Sequence, residues 1–137
     1  MKSSLTVIFL SLSGLLLLTI GSAILLIPHA FYARDGILLG NDPSLLSELR
    51  ASGGLLAGSA LVILIGTVCP TLRSLAMALS ILVYGSFGLS RLLGLTVDGM
   101  PSNSLLMATM VELFVAAIGL IIFCRQPNAG STITYKR

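Results

Sequence analysis

Thirteen charged side chains are all that 137 residues carry, and four of them fall inside or against apolar runs: Glu48, Arg50, Arg91 and Glu112. A charge in hydrocarbon is costly and persists where it pairs or faces a bundle interior. Glu112 lies eight residues into the run that begins at Ser104, about 12 Å deep at the helical rise. An unpaired carboxylate there would cost about 2.5–3.5 kcal/mol and tend to take up a proton, so it must be neutral or paired. Arg91 stands just before the loop leading into that run, and arginine can reach along apolar surface. An Arg91–Glu112 bridge is therefore expected. Glu48 and Arg50, at the start of another run, can reach the same layer. The four together carry two charges of each sign, the balance that burial requires. Such a cluster has two readings. It could lock helix pairing and register with no chemistry. It could also form a polar site in an apolar bundle, for a lipid or quinone headgroup, an anion or a proton.

Other chemistry is sparse. His29 is the only histidine, and with no partner in sequence it reads as a group making local hydrogen bonds. Cys69 and Cys124 end the second and fourth apolar runs, on one membrane face. With that face cytoplasmic, free thiols that serve as small packing residues are expected. No Cys–His pair, Ser–His–Asp set, phosphate-cradling glycine loop or metal-ligand spacing is present, so the expectation is no enzyme, no catalytic residue and no metal. The eight basic residues stand at the ends of apolar runs instead of forming one face, which argues against nucleic acid.

The elements that position these charges are plain. The chain is 55% hydrophobic and 9% charged, with a mean hydropathy of +1.04. A soluble domain carries about 25% charged residues. So few charges exclude a cytosolic enzyme, a disulfide scaffold and a disordered tail. A spanning helix needs about 20 apolar residues, and four such helices are predicted, at about 5–27, 48–69, 74–95 and 104–124. Pro28 and Pro70 close the first two, because proline cannot extend a helix without losing a backbone bond. The first run is too long for the core of a signal peptide, so a retained anchor is expected. The fold class predicted is all-α: one integral membrane domain, 1–137, an up-down antiparallel four-helix bundle. Lys2, Arg73, Arg125, Lys136 and Arg137 place both termini in the cytoplasm by the positive-inside rule.

Helical spacing points the charges inward. Arg50, Gly54 and Gly58 share one stripe, and Gly54–Gly58 is a GxxxG that lets a neighbour approach. Ala76, Ser80, Tyr84, Gly88 and Arg91 share a second stripe, and Ala108, Glu112, Ala116 and Gly119 a third. Gly54, Gly58 and Gly88 are thus expected at helix contacts, although the same faces could serve a dimer. The first loop is too apolar for a free loop. Phe31 and Tyr32 suit the interfacial belt, and Asn41-Asp42-Pro43-Ser44 reads as a turn and helix N-cap. Ile37–Leu39 is expected to dip towards the headgroups, as a lid over the charge cluster. The polar tail 126–137 is expected to be flexible.

The pattern Gly36-Ile-Leu-Leu-Gly40, Ser47-Glu48-Leu49-Arg50-Ala51 and Gly53-Gly54, followed by Arg91 and Glu112, resembles a bacterial family of small four-helix membrane proteins of unknown function, domain of unknown function 4345. That family is distantly similar to the DoxX-like membrane proteins. The resemblance covers about residues 5–124. It implies a four-helix bundle with a polar cluster near one face, and no reaction.

Together these readings predict a small multi-pass protein of the bacterial cytoplasmic membrane. It would be a non-enzymatic accessory or scaffold subunit, or a binder of a lipophilic ligand such as a lipid or quinone. No cofactor is required by the sequence. Membrane lipids, further copies of itself or a larger membrane complex are the expected partners. The alternative is a proton- or ion-coupled transporter or channel component acting as an oligomer, with Glu112 as the carrier. Against it, the cytoplasmic halves of the helices hold almost nothing polar.

Overall fold

A computed structural model describes residues 2–125. Its helices are α1 (Lys2–Leu26), α2 (Pro28–Ala33), α3 (Pro43–Val68), α4 (Arg73–Val97) and α5 (Asn103–Cys124), with a short 3-10 turn at Pro70–Leu72. Helices α1, α3, α4 and α5 are long and apolar enough to cross a membrane, α4 together with the 3-10 turn that precedes it. The expected tail, 126–137, lies outside the described residues.

Local sequence sets the boundaries. Pro28 cannot donate into the α1 ladder, and it opens α2 at a position where a donor would be idle in any case. Asp42 caps α3 by accepting from the Ser44 N–H at 2.8 Å, with Pro43 at the first helical position. The cap starts the helix at once. Helix α3 therefore begins at Pro43 and not near 48, and Glu48 and Arg50 sit in its second turn. The loop expected after α1 likewise contains the six-residue α2. Gly36, at φ +77°, turns the chain out of α2, a conformation open to glycine at little cost.

The core lies between three helices. Leu10, Leu17 and Ile24 of α1 meet Leu56, Ala60 and Ile63 of α3 and Ala76, Met77 and Tyr84 of α4. Helix α5 adds Val115, Ala116 and Ile122 from the edge of that core. Buried hydroxyls join the helices as well. The Tyr84 hydroxyl donates to the Ser13 carbonyl at 2.7 Å, and Ser80 donates to the Ser13 hydroxyl at 3.3 Å. Where lipid is as apolar as the core, such bonds and close packing hold helices together better than apolar burial does.

Helices α1 and α3 approach most closely at Gly21 and Gly53. A Cβ on Gly53 would lie 2.7 Å from the Leu25 nitrogen and 2.9 Å from the Gly21 oxygen, and one on Gly21 would lie 2.5 Å from the Ala57 nitrogen. The expected contact through Gly54 and Gly58 is not what the fold uses: a Cβ at either would meet nothing within 4 Å. The GxxxG spacing is there, but Gly53 and Leu56 turn towards α1 and rotate Gly58 outward. On the outer surface of the bundle stand Leu12, Leu55, Leu82, Leu89, Phe114 and others.

Candidate functional site

Arg91 and Glu112 meet across the α4–α5 contact. Gly88 sets how close these helices come, since a Cβ there would lie 2.7 Å from the Leu113 side chain. Gly119 does the same further along, against Phe9 and Ile81. Side chains on a helix lean towards its N-terminus. As contact positions rise through 85, 88 and 91 on α4 they fall through 116, 113 and 112 on α5. Arg91 and Glu112 therefore lean towards each other.

The pair is bonded in an uneven way. Arg91 Nε lies 3.0 Å from Glu112 Oε2 and 3.2 Å from Oε1, so one N–H is shared by both oxygens. Two parallel N–H···O bonds would be the stronger form. Among the described residues neither terminal nitrogen of Arg91 meets an acceptor. The Glu112 side chain is 14% exposed and that of Arg91 33%. The arginine thus presents N–H groups at the surface of the bundle while its charge is balanced from within.

Two adjoining clefts flank it. One, about 180 Å³, is bounded by Arg91, Gly94, Asp98, Pro101 and Thr109. The other, about 250 Å³, runs between α4 and α5 along Leu92, Leu95, Leu106, Met110 and Leu113. Arg91, Leu95, Pro101 and Thr109 line both. The Thr109 hydroxyl donates to the Leu105 carbonyl at 2.9 Å and keeps lone pairs free.

Helix α2 closes on this end of the bundle. Asp35, just beyond it, accepts a short hydrogen bond from Ser104 in the first turn of α5. Tyr32 packs its ring edge against Phe31 and lies within electrostatic reach of Arg91. Burial holds the Tyr32 phenol above its usual range. The Arg91 guanidinium pulls it back, and Asp35 adds to the rise. Tyr32 is therefore a neutral phenol at pH 7. The segment expected to cover the charges, Ile37–Leu39, does not do so: Leu38 is 92% exposed. Tyr32 and Asp35 are what reach the α4–α5 layer, because α2 carries them back over the helix ends.

The four-charge cluster expected here is a pair. Glu48 is exposed and makes no ion pair with a described residue. Arg50 turns instead to the end of α1, where its Nη1 donates to the Leu25 carbonyl at 2.5 Å. Helix C-termini expose orphan carbonyls and favour cations. Arg73 does the same for α3, donating to the Gly66 and Thr67 carbonyls at 3.4 and 3.3 Å. Early initiation at Pro43 and the Gly21–Gly53 contact aim Arg50 at α1 and away from α5. His29 is exposed, and Cys69 and Cys124 are free thiols.

Three features escaped sequence reasoning: the Gly21–Gly53 contact, the Tyr84–Ser13 bond and the Asp35–Ser104 strap. Adjacent glycines at 53 and 54 hinted at the first, but choosing between them needs the facing helix.

No curated protein and no solved structure matches the chain. A sequence profile of a domain of unknown function, DUF4345, matches residues 5–123. That span takes in every element described above, from the first turns of α1 to the last of α5, and the chain belongs to the DUF4345 family.

Proposed function

We propose that this protein binds a lipophilic ligand inside the membrane, at the α4–α5 clefts beside Arg91, and that it does so without catalysing a reaction. The observation that carries the reading is a half-buried Arg91, bonded to Glu112 through Nε alone among the described residues, on the wall of an apolar cleft. Membrane sites combine mostly apolar walls with a few polar groups that fix orientation. Arg91 would supply the donors, and Glu112 would hold it in place. Glu48 and Arg50 stand apart from this site.

The bundle is read as up-down and antiparallel, in a bacterial cytoplasmic membrane, with both termini cytoplasmic and the Arg91 layer in the outer half. Pairings of residues 14 with 63–64 and 21 with 53–57 support opposed α1 and α3. Small size favours work as an accessory subunit, in a homo-oligomer or a larger complex. A thiol reagent that cannot cross the membrane should label Cys124 only after the cytoplasmic side is opened; labelling of intact cells contradicts the orientation.

What favours a binder over a proton carrier is where the buried hydroxyls lead. Ser80 donates to Ser13, and Ser13 donates to the Leu10 carbonyl at 3.4 Å, so that chain stops on backbone. The test is photo-crosslinking in native membranes from a benzophenone side chain at Met110, which lines the cleft, and at Leu89, which faces outward. A lipophile enriched at position 110 over position 89 is expected. The same lipid mixture at both sites overturns the reading.

A further inference from the structure

Resting on that reading of the clefts, we propose that the group held at Arg91 is a neutral carbonyl acceptor on a lipophile, a quinone ring or a glycerolipid ester, and not an anion. Charge is the first reason. Glu112 already balances Arg91, and Asp98 adds a second carboxylate to the wall of the smaller cleft. A bound anion would bring a further negative charge into a layer where acids already match or outnumber the arginine. A carbonyl oxygen accepts N–H bonds and adds no charge.

Depth is the second reason. Helix α4 has 25 residues and is about 37 Å long. Centred in a hydrocarbon core of about 30 Å, it would extend about 4 Å beyond each edge. Arg91 is six residues from Val97, so its backbone lies about 9 Å in from the helix end, some 5 Å below the hydrocarbon edge. Its side chain leans further inward, towards Glu112. Lipid phosphates belong to the polar layer outside that edge. Ester carbonyls lie at that edge, nearer to Arg91 than the phosphates are, and an uncharged quinone ring can enter the core below it.

Shape is the third. From Arg91 the larger cleft follows Leu92, Leu106, Met110 and Leu113, an apolar track fit for a hydrocarbon tail. A small free anion has no use for those walls. An amphiphile seats its carbonyl on Arg91 and its tail along α5.

The test uses the full chain in dodecyl maltoside, a detergent with no carbonyl group. Three probes are titrated: a decyl-substituted benzoquinone, dioleoylglycerol and dioleoylphosphatidylglycerol. Saturable binding of the quinone or of the diacylglycerol is expected, and whichever binds names the source of the carbonyl. The double variant Arg91→Met/Glu112→Met, which keeps the site neutral, should bind at least about tenfold more weakly, the scale of one hydrogen bond from a charged donor. Arg91→Lys keeps the ion pair but removes the fork of donors, so it should bind several-fold more weakly even if the double variant fails to fold. Glu48→Gln should bind as the natural chain does. Preference for the anionic phosphatidylglycerol, or undiminished carbonyl binding in both Arg91 variants, overturns the carbonyl assignment and leaves the clefts as a ligand site. Saturable binding of none of the three overturns the assignment and the binding reading together.

Discussion

Substituting alanine at Gly53 and, separately, at Gly54 isolates the contact that joins α1 to α3. The residues are neighbours in one helix, so the gain in helix propensity, about 1 kcal/mol for either change, cancels between them. What remains is packing. The new Cβ at 53 would sit 2.7 Å from the Leu25 nitrogen, 2.9 Å from the Gly21 oxygen and 3.0 Å from the Ile24 Cβ, whereas the one at 54 meets nothing within 4 Å. Two of the three obstructing atoms are backbone, so no side chain can rotate away. The helices must part by several tenths of an ångström, and a gap of 0.5–1 Å forfeits about a quarter to a half of each neighbouring dispersion well. Overpacking of this kind costs about 1–3 kcal/mol. Gly53→Ala should therefore be less stable than Gly54→Ala by about 1–3 kcal/mol, or roughly 5- to 150-fold in the unfolding constant. Equilibrium unfolding in mixed micelles with increasing dodecyl sulfate, followed by helical circular dichroism, measures the difference. Equal stability of the two variants would refute the Gly21–Gly53 register and return the contact to the Gly54–Gly58 face.

Glu112→Gln leaves Arg91 charged beside apolar surface and should destabilise by about 1–3 kcal/mol, between the values for exposed and fully buried pairs; Arg91→Met/Glu112→Met should recover much of that loss in the same assay. If the double variant is as unstable as the single one, the pair is not the cause. Arg50→Met removes the bond to the Leu25 carbonyl and should cost about 1 kcal/mol, while Glu48→Gln costs close to nothing. Equal effects would place Glu48 and Arg50 in one interacting set after all. In the folded protein the Tyr32 phenol is raised above its usual 10.0, so folding favours its neutral form. That stabilisation is complete below about pH 10 and is lost as pH rises through the folded value. A pH titration of stability should show an alkaline loss that is smaller in Tyr32→Phe; identical curves would remove Tyr32 from its half-buried position.

Much of this fold was legible because membrane helices announce themselves by length. Apolar runs, Pro28 and Pro70 marked where most of the helices lie, since each acts on its own neighbours, whereas the Asp42-Pro43 cap starts α3 five residues before the position near 48 that the apolar run suggested. The Arg91–Glu112 pair was legible for a related reason: a short connection sets the register between α4 and α5, and an arginine and a glutamate flank it. Glu48 and Arg50 were misplaced because their partners depend on which face of α3 turns to α1. That rotation is decided by Gly21 against Gly53, 32 positions apart, and no local period encodes it. Gly54 and Gly58 fit the GxxxG spacing as well as a real contact would, which shows how little the spacing says when the opposing helix is unknown. The role of Arg50 and Arg73 as partners for helix-end carbonyls was hidden in the same way. Read along the sequence they are only charges at the ends of apolar runs, which topology alone would explain.

The most direct measurement is native mass spectrometry of the protein released gently from its own membranes, the natural chain beside Arg91→Met/Glu112→Met. If Arg91 anchors a lipophile in the α4–α5 clefts, the natural chain or a small oligomer of it retains one class of lipophile in a fixed ratio, and the double variant loses that mass. A bare natural chain, or the same adducts on both proteins, would contradict the assignment.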